Sequence, residues 1–273
     1  MRRGWLVLGM LLGMIMILGI GSARADKMDD VIKSGHLKCG VMLDFPPAGF
    51  RDASNQPAGF DVDTCKEIAK ALKVEAEIVE TQAPQRIPSL TAGTVDVVVA
   101  STTATLERAK TVTFTIPYQV YKMSVVVPEK SPIKSFDQLR GKTVSVVRGT
   151  TPETEYLARC KEWREGCKNI SVGSNAEQIL ALRQGRVQAM VEASSFVGTL
   201  VKSDQGKGLT ICCDMPGYTD WVSIMVPRGE FGFRDWLNLF IFLQTDTGKY
   251  AELYKKWFGV EKPPALTVPG VYR

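Results

Sequence analysis

Val97 to Val99 is a short, fully apolar β-branched run that stops abruptly, with the hydroxyl-bearing residues Ser101, Thr102, Thr103 and Thr105 following. An apolar run without alternation suits a strand buried on both faces, the arrangement of parallel sheets covered by helices. The segments before it agree. Leu37 to Leu43 and Ala76 to Glu80 read as strands, and between them Val62, Cys65, Ile68, Ala69 and Leu72 recur at helical spacing behind the acidic first turn of GFDVDTCKEIAKAL. QRIPSL, Gln85 to Leu90, opens another helix, closed by Gly93. Strand, helix, strand, helix, strand with short links implies parallel α/β packing.

The end of the run carries a chemical signal. Hydroxyls at a strand end, followed by Arg108 one turn into a short helix from Leu106, make a receptor for a carboxylate, which a guanidinium grips as a bidentate fork. The same residues also read as a capped helix with a surface arginine. In DFPPAGF, Asp44 to Phe50, two prolines forbid helix or central strand. Phe45 is thereby held on a stiff loop, placed to cover a ligand or to staple onto the core.

Met1 to Ala25 reads as an export signal: Arg2 and Arg3, an uncharged apolar run from Trp5 to Ile20, then Ala23-Arg24-Ala25 at the cleavage point. The apolar run is shorter than the ~20 residues a membrane span needs. No cysteine stands at the cleavage point, so no lipid anchor is expected. Of 34 basic residues, those other than Arg2, Arg3 and Arg24 number 31 against 29 acidic, a net charge of +2 that argues against a nucleic-acid partner.

Six cysteines in an exported chain suggest disulfide pairing. Cys160 and Cys167 bracket the short loop KEWREG, and a bridge there is worth roughly 2–3 kcal/mol. Cys39, in a strand, and Cys65, on a helix, read as ordinary buried thiols. Cys212 and Cys213 are adjacent, so a regular strand points them to opposite faces. With His36 the one histidine and no CxxC, neither a metal site nor a cofactor is expected, nor a Ser-His or Cys-His catalytic dyad.

The middle of the chain repeats the α/β pattern. Phe136 to Leu139 is a short helix and Thr143 to Val147 a buried strand; in RGTTPETEYL, Gly149, Thr150 and Thr151 precede Pro152, a helix start with Thr151 as cap and Pro152 at the first helical position. Free amides at such a start attract an anion. Ala176 to Gln184 is a helix ended by Gly185, Val187 to Val191 a strand, and Phe233 to Leu243 and Tyr250 to Phe258 are amphipathic helices.

GFDVDTCKEIAKAL, QRIPSLTAGTVDVVVASTTATLERAKTVTFTIPY, LRGKTVSVVRGTT and YKKWFGVEKPPALTVPG together resemble the polar-amino-acid solute-binding proteins of ABC importers, over essentially the whole chain after residue 25. The resemblance implies an α/β, two-lobed periplasmic-binding-protein fold of type II, with two crossover strands forming a hinge. It divides the chain into a signal peptide, 1–25, a first lobe, 26–119 and 223–273, and a second lobe with the crossovers, 120–222. By matched position, Arg108 grips a ligand carboxylate, Ser101 and Thr103 add hydrogen bonds, Phe45 stacks over the ligand, and Gly149 and Thr151 complete the carboxylate site. Arg86 matches a position where an acidic-amino-acid binder of the family holds its ligand's side chain, and Arg148 adds positive potential.

Two departures shape the expected ligand. Ala193 stands where the family commonly places the Asp that holds the α-ammonium, which leaves Glu192 as the neighbouring carboxylate. Met42 stands where binders of cationic side chains carry an acid. The resemblance therefore implies a polar neutral or acidic amino acid, or a related small carboxylate, bound in the periplasm by a monomer that delivers it to an ABC membrane permease, with no catalytic residue. The alternative is a lyase or dehydratase-like enzyme on the same fold with Glu192 as general acid or base, a choice that fold alone does not make.

Overall fold

The computed structural model describes residues 26–163 and 166–266; the expected signal segment, 1–25, lies outside them. The elements, in chain order, are α1 (Lys27–Ser34), β1 (His36–Val41), β2 (Asp44–Phe45), β3 (Gly49–Arg51), β4 (Pro57–Ala58), α2 (Phe60–Leu72), β5 (Glu75–Glu80), α3 (Arg86–Thr91), β6 (Val97–Thr103), β7 (Val112–Tyr121) and β8 (Met123–Pro128). They continue with β9 (Thr143–Val147), α4 (Thr151–Glu162), β10 (Lys168–Val172), α5 (Asn175–Arg183), β11 (Ala189–Ala193), α6 (Ser194–Leu200), β12 (Leu209–Asp214), β13 (Asp220–Pro227), α7 (Phe231–Asp246) and α8 (Lys249–Phe258).

Two five-stranded sheets organise the molecule, in the orders β5-β1-β6-β13-β7 and β10-β9-β11-β8-β12. In each, three strands run parallel and two pair antiparallel at one side. This is the two-lobed type II arrangement. β6, which opens with the run Val97 to Val99, sits at the centre of the first sheet with those residues and Ala100 fully buried, as an apolar run without alternation requires. The chain leaves the first sheet at the end of β7 and enters the second at β8 one residue later; it returns from β12 into β13, whose Asp220 is registered on Tyr121. The two crossings therefore lie side by side.

Several local differences from the sequence reading have plain causes. The proline stretch 44–50 supplies β2 and the start of β3 in a small antiparallel sheet, β2-β3-β4, that Pro57–Ala58 completes. Arg108 opens a three-residue 3-10 helix, Arg108–Lys110, and does not lie one turn into it. The cap of α4 is Thr150, one residue earlier than Thr151, because Thr150 is extended and its hydroxyl accepts from the Glu153 amide. Cys39 of β1 and Cys65 of α2 are joined by a disulfide and are not free thiols; Cys160 and Cys167 are also joined. Gly59, the residue before α2, has φ 125°, and an added Cβ there would lie 2.3 Å from the Ala48 carbonyl oxygen, so only glycine allows that approach.

Candidate functional site

β6 ends beneath a guanidinium. Arg86, 4% exposed, donates from Nε to the Ala83 carbonyl (3.1 Å), from Nη1 to the carbonyls of Ala100 (2.9 Å) and Ser101 (3.1 Å), and from Nη2 to the Gly149 carbonyl (3.3 Å). These bonds tie the strand end of one sheet to a loop of the other. Ser101 is held at φ 46°, a conformation sparsely used by non-glycine residues and associated with functional sites. Buried Asp61 over-determines it: the Ser101 hydroxyl donates to Asp61 Oδ2 (3.1 Å), and the Tyr118 hydroxyl donates to Oδ1 (2.8 Å) while accepting from the Ser101 amide (3.2 Å). Burial pushes the Asp61 carboxyl up to about 7.

A chain of hydroxyls crosses between the sheets. Thr151, at the start of α4, donates to the Thr103 hydroxyl, which donates to Asp220 Oδ1, each at 2.5 Å. Arg108 frames this chain: its Nη1 donates to the Thr103 carbonyl (2.9 Å) and the Thr151 hydroxyl (3.2 Å), and its Nη2 to the Gly149 carbonyl (2.8 Å). The Gly149 carbonyl thus accepts from both arginines, while the Gly149 amide is taken by Glu153 Oε2 (2.8 Å). Asp220 is 4% exposed, and burial raises its carboxyl to about 6.

On the opposite side, Phe45 stacks on Phe196 of α6 with ring centres 5.0 Å apart and planes within 7°, and meets Tyr121 edge-on at 6.5 Å. Asp44 Oδ2 accepts from the Asn175 amide at the start of α5 (3.0 Å). Glu192, 3% exposed at the end of β11, accepts from the Ala193 amide at Oε1 (2.9 Å), but its Oε2 is buried with no partner, as is Asn175 Oδ1. Desolvation raises the Glu192 carboxyl to about 7.

These groups line a small cavity between the two sheets, about 20 Å³, room for roughly one water in this arrangement. Six of the eight residues expected from the sequence line it: Phe45, Arg86, Ser101, Thr103, Thr151 and Glu192. Arg108 and Gly149 stand directly behind the lining, and Arg148 is exposed with its guanidinium on the Ser171 carbonyl (3.2 Å). Met42 lines the cavity with an apolar surface. Sequence reasoning missed Asp220, Asn175 and Tyr121, which also line it. Asp220 had one legible signal, a lone acid opening the apolar strand WVSIMV. Its presence corrects the expectation that Glu192 alone supplies a carboxyl group to the cleft.

The sequence profile of the bacterial extracellular solute-binding proteins, family 3, matches residues 37–260. The chain belongs to this family. The ABC transporter glutamine-binding protein of Bacillus subtilis is 27% identical over 248 residues, covering 89% of this chain and 88% of the relative. Among solved structures, a mutant of the arginine-binding protein of T. maritima superposes with a TM-score of 0.78 at 32% identity, over 86% of this chain and 100% of the other. The ancestral amino-acid-binding protein AncCDT-1, described as a precursor of cyclohexadienyl dehydratase, gives 0.75 at 31% identity, over 86% and 100%.

In this solute-binding protein Arg108 and Asp220 both bond Thr103, and Arg86 shares the Gly149 carbonyl with Arg108; Glu192 and Asn175, each with an unpartnered acceptor oxygen, come from β11 and α5. A buried acceptor without a donor costs on the order of 1–3 kcal/mol, so this end of the cavity is built to receive a donor.

Proposed function

We propose that this solute-binding protein captures a polar neutral or acidic α-amino acid in the periplasm and delivers it to the membrane permease of an ABC importer. The observation that carries the reading is the buried, unpartnered Oε2 of Glu192, in the lining of a cavity that Thr103 and Thr151 also line, with Arg108 directly behind them. A zwitterion satisfies both ends: its ammonium donates to Glu192 and Asn175, and its carboxylate accepts from Arg108 and from the Thr151 hydroxyl, which turns to it from Thr103. Met42 offers a cationic side chain no acceptor of strength, and the Arg86 guanidinium in the wall disfavours one. Arg86 spends most of its donors on backbone carbonyls, so its part is to hold the strand end and lend positive potential.

The ligand lies between a first lobe, residues 26–119 and 223–273, and a second, residues 120–222, which close about the paired crossings. Residues 1–25 direct export and are removed, and the monomer acts without a cofactor and without turnover. The named transport relatives support binding over catalysis. Calorimetry and thermal shift over glutamine, glutamate, aspartate, lysine and arginine test this reading. Micromolar or tighter binding of one of the first three is expected; tight binding of lysine or arginine with those three inert would overturn it. An enzymatic role for Glu192 has its own support in its raised carboxyl and in the kinship to AncCDT-1. Conversion of an offered hydroxy or amino acid, followed by NMR and lost in Glu192→Gln, would favour that role instead.

A further inference from the structure

β12 is an edge strand of the second sheet, and it carries Cys212 and Cys213, the two cysteines outside the two disulfides. In a regular strand, neighbouring side chains point to opposite faces and their thiols do not meet. Here the ladder with β8 slips between Ile211, registered on Val126, and Cys213, registered on Val125, so that Cys212 is the extra residue of a β-bulge. Both side chains pack, half-buried, against the same apolar cluster of the second sheet. Their Sγ atoms lie 2.7 Å apart, a separation that a small side-chain rotation brings to the roughly 2.05 Å of an S–S bond. The chain's other four cysteines are already bridged, as befits a disulfide-permissive compartment.

We propose that Cys212 and Cys213 form a vicinal disulfide, a covalent modification site on β12. Closing the ring breaks two S–H bonds and forms one S–S bond; two electrons and two protons pass to a disulfide oxidant, glutathione disulfide or the active-site disulfide of an exported oxidoreductase, which is reduced to its two thiols. The ring locks the bulge in the strand that leads, through residues 215–219, into Asp220 at the cavity. It also stiffens a sheet edge that is otherwise open to strand addition.

Refolding of the reduced chain in a glutathione redox buffer tests this independently of the ligand and of the compartment. The product is unfolded without reductant, treated with iodoacetamide and mapped by mass spectrometry. The expected result is a Cys212–Cys213 peptide that resists alkylation, lacks two hydrogens and becomes alkylated at both positions after reduction. Alkylation of both cysteines before reduction, whatever the state of the other four, overturns the proposal, as does a bridge from either one to another cysteine. In hydrogen exchange, β12 amides of the wild type should be protected more than those of Cys212→Ser/Cys213→Ser; equal protection would show that no ring constrains the strand.

Discussion

Glu192, Asp61 and Asp220 each lie within a few per cent of full burial, and desolvation raises their carboxyl groups to about 7, about 7 and about 6, from ordinary values of 4.5 for the glutamate and 3.8 for the two aspartates. Between the ordinary and the raised values the native state binds more protons than the unfolded chain, so the stability of the ligand-free protein falls as pH rises through this range. Its melting temperature should accordingly rise on acidification from pH 8 to pH 6; a fall over that interval would contradict the burial of these groups. Ligand binding has the opposite sign, because an ammonium docks on ionised Glu192. Affinity should drop by roughly tenfold from pH 8 to pH 6, with proton release seen by calorimetry in buffers of different ionisation enthalpy, and Glu192→Gln should lose that release. Arg108, at the other end of the cavity, is tested by Arg108→Ala. Binding at least about a hundredfold weaker, some 2.7 kcal/mol, is expected from a chain that still folds, and unchanged affinity would move the carboxylate to Arg86.

At the scale of elements, the first lobe is stapled where it supports the site. The Cys39–Cys65 bridge ties β1 to α2, whose buried Phe60, Val62, Ile68 and Ala69 cover the sheet, and whose Asp61 holds the end of β6. A link across 26 residues of sequence restricts the unfolded chain enough to be worth about 3–4 kcal/mol. Cys39→Ala/Cys65→Ala should lower the urea midpoint by that amount of stability, and a loss under 1 kcal/mol would mean that the bridge contributes little beyond packing. The two arginines illustrate why element and site are coupled: Arg86 opens α3 yet bonds the last residues of β6 and the loop before α4. Tight packing of α3 under β6 is what places a guanidinium in the wall of the cavity.

Across the whole molecule, the two sheets meet through a short set of specific contacts: Thr103 with Thr151, Asp44 with Asn175, Phe45 with Phe196, and both arginines with the Gly149 carbonyl. Most of these residues line the cavity, and among the described residues the chain passes between the sheets at the crossings beside Tyr121 and Asp220. A ligand that satisfies groups of both lobes binds the closed arrangement better than an open one, and so shifts the population towards it. Solution scattering should show a smaller radius of gyration at saturating ligand. An unchanged radius would count against closure about the crossings.

Much of this was legible in the linear chain. The burial of Val97 to Val99, the alternation of strands and helices and the glycine stops depend on near neighbours, and periodicity and turn chemistry report them directly, though the cap of α4 fell one residue from its expected place. The hydroxyls at the end of β6 and the acid of β11 were legible too, because a polar residue closing a buried strand stands out against its apolar context. What the linear chain did not carry were relations between residues far apart: Asp220 against Thr103, Asp61 beneath Ser101, Cys39 bonded to Cys65, Phe45 on Phe196, and the carbonyls that absorb Arg86. Each depends on where the sheets bring distant segments together, and each changes the chemistry of its partners through burial and hydrogen bonding. Local propensity determined which elements form; the packing of the two sheets decided which of their ends face one another, and therefore which charges share the cavity.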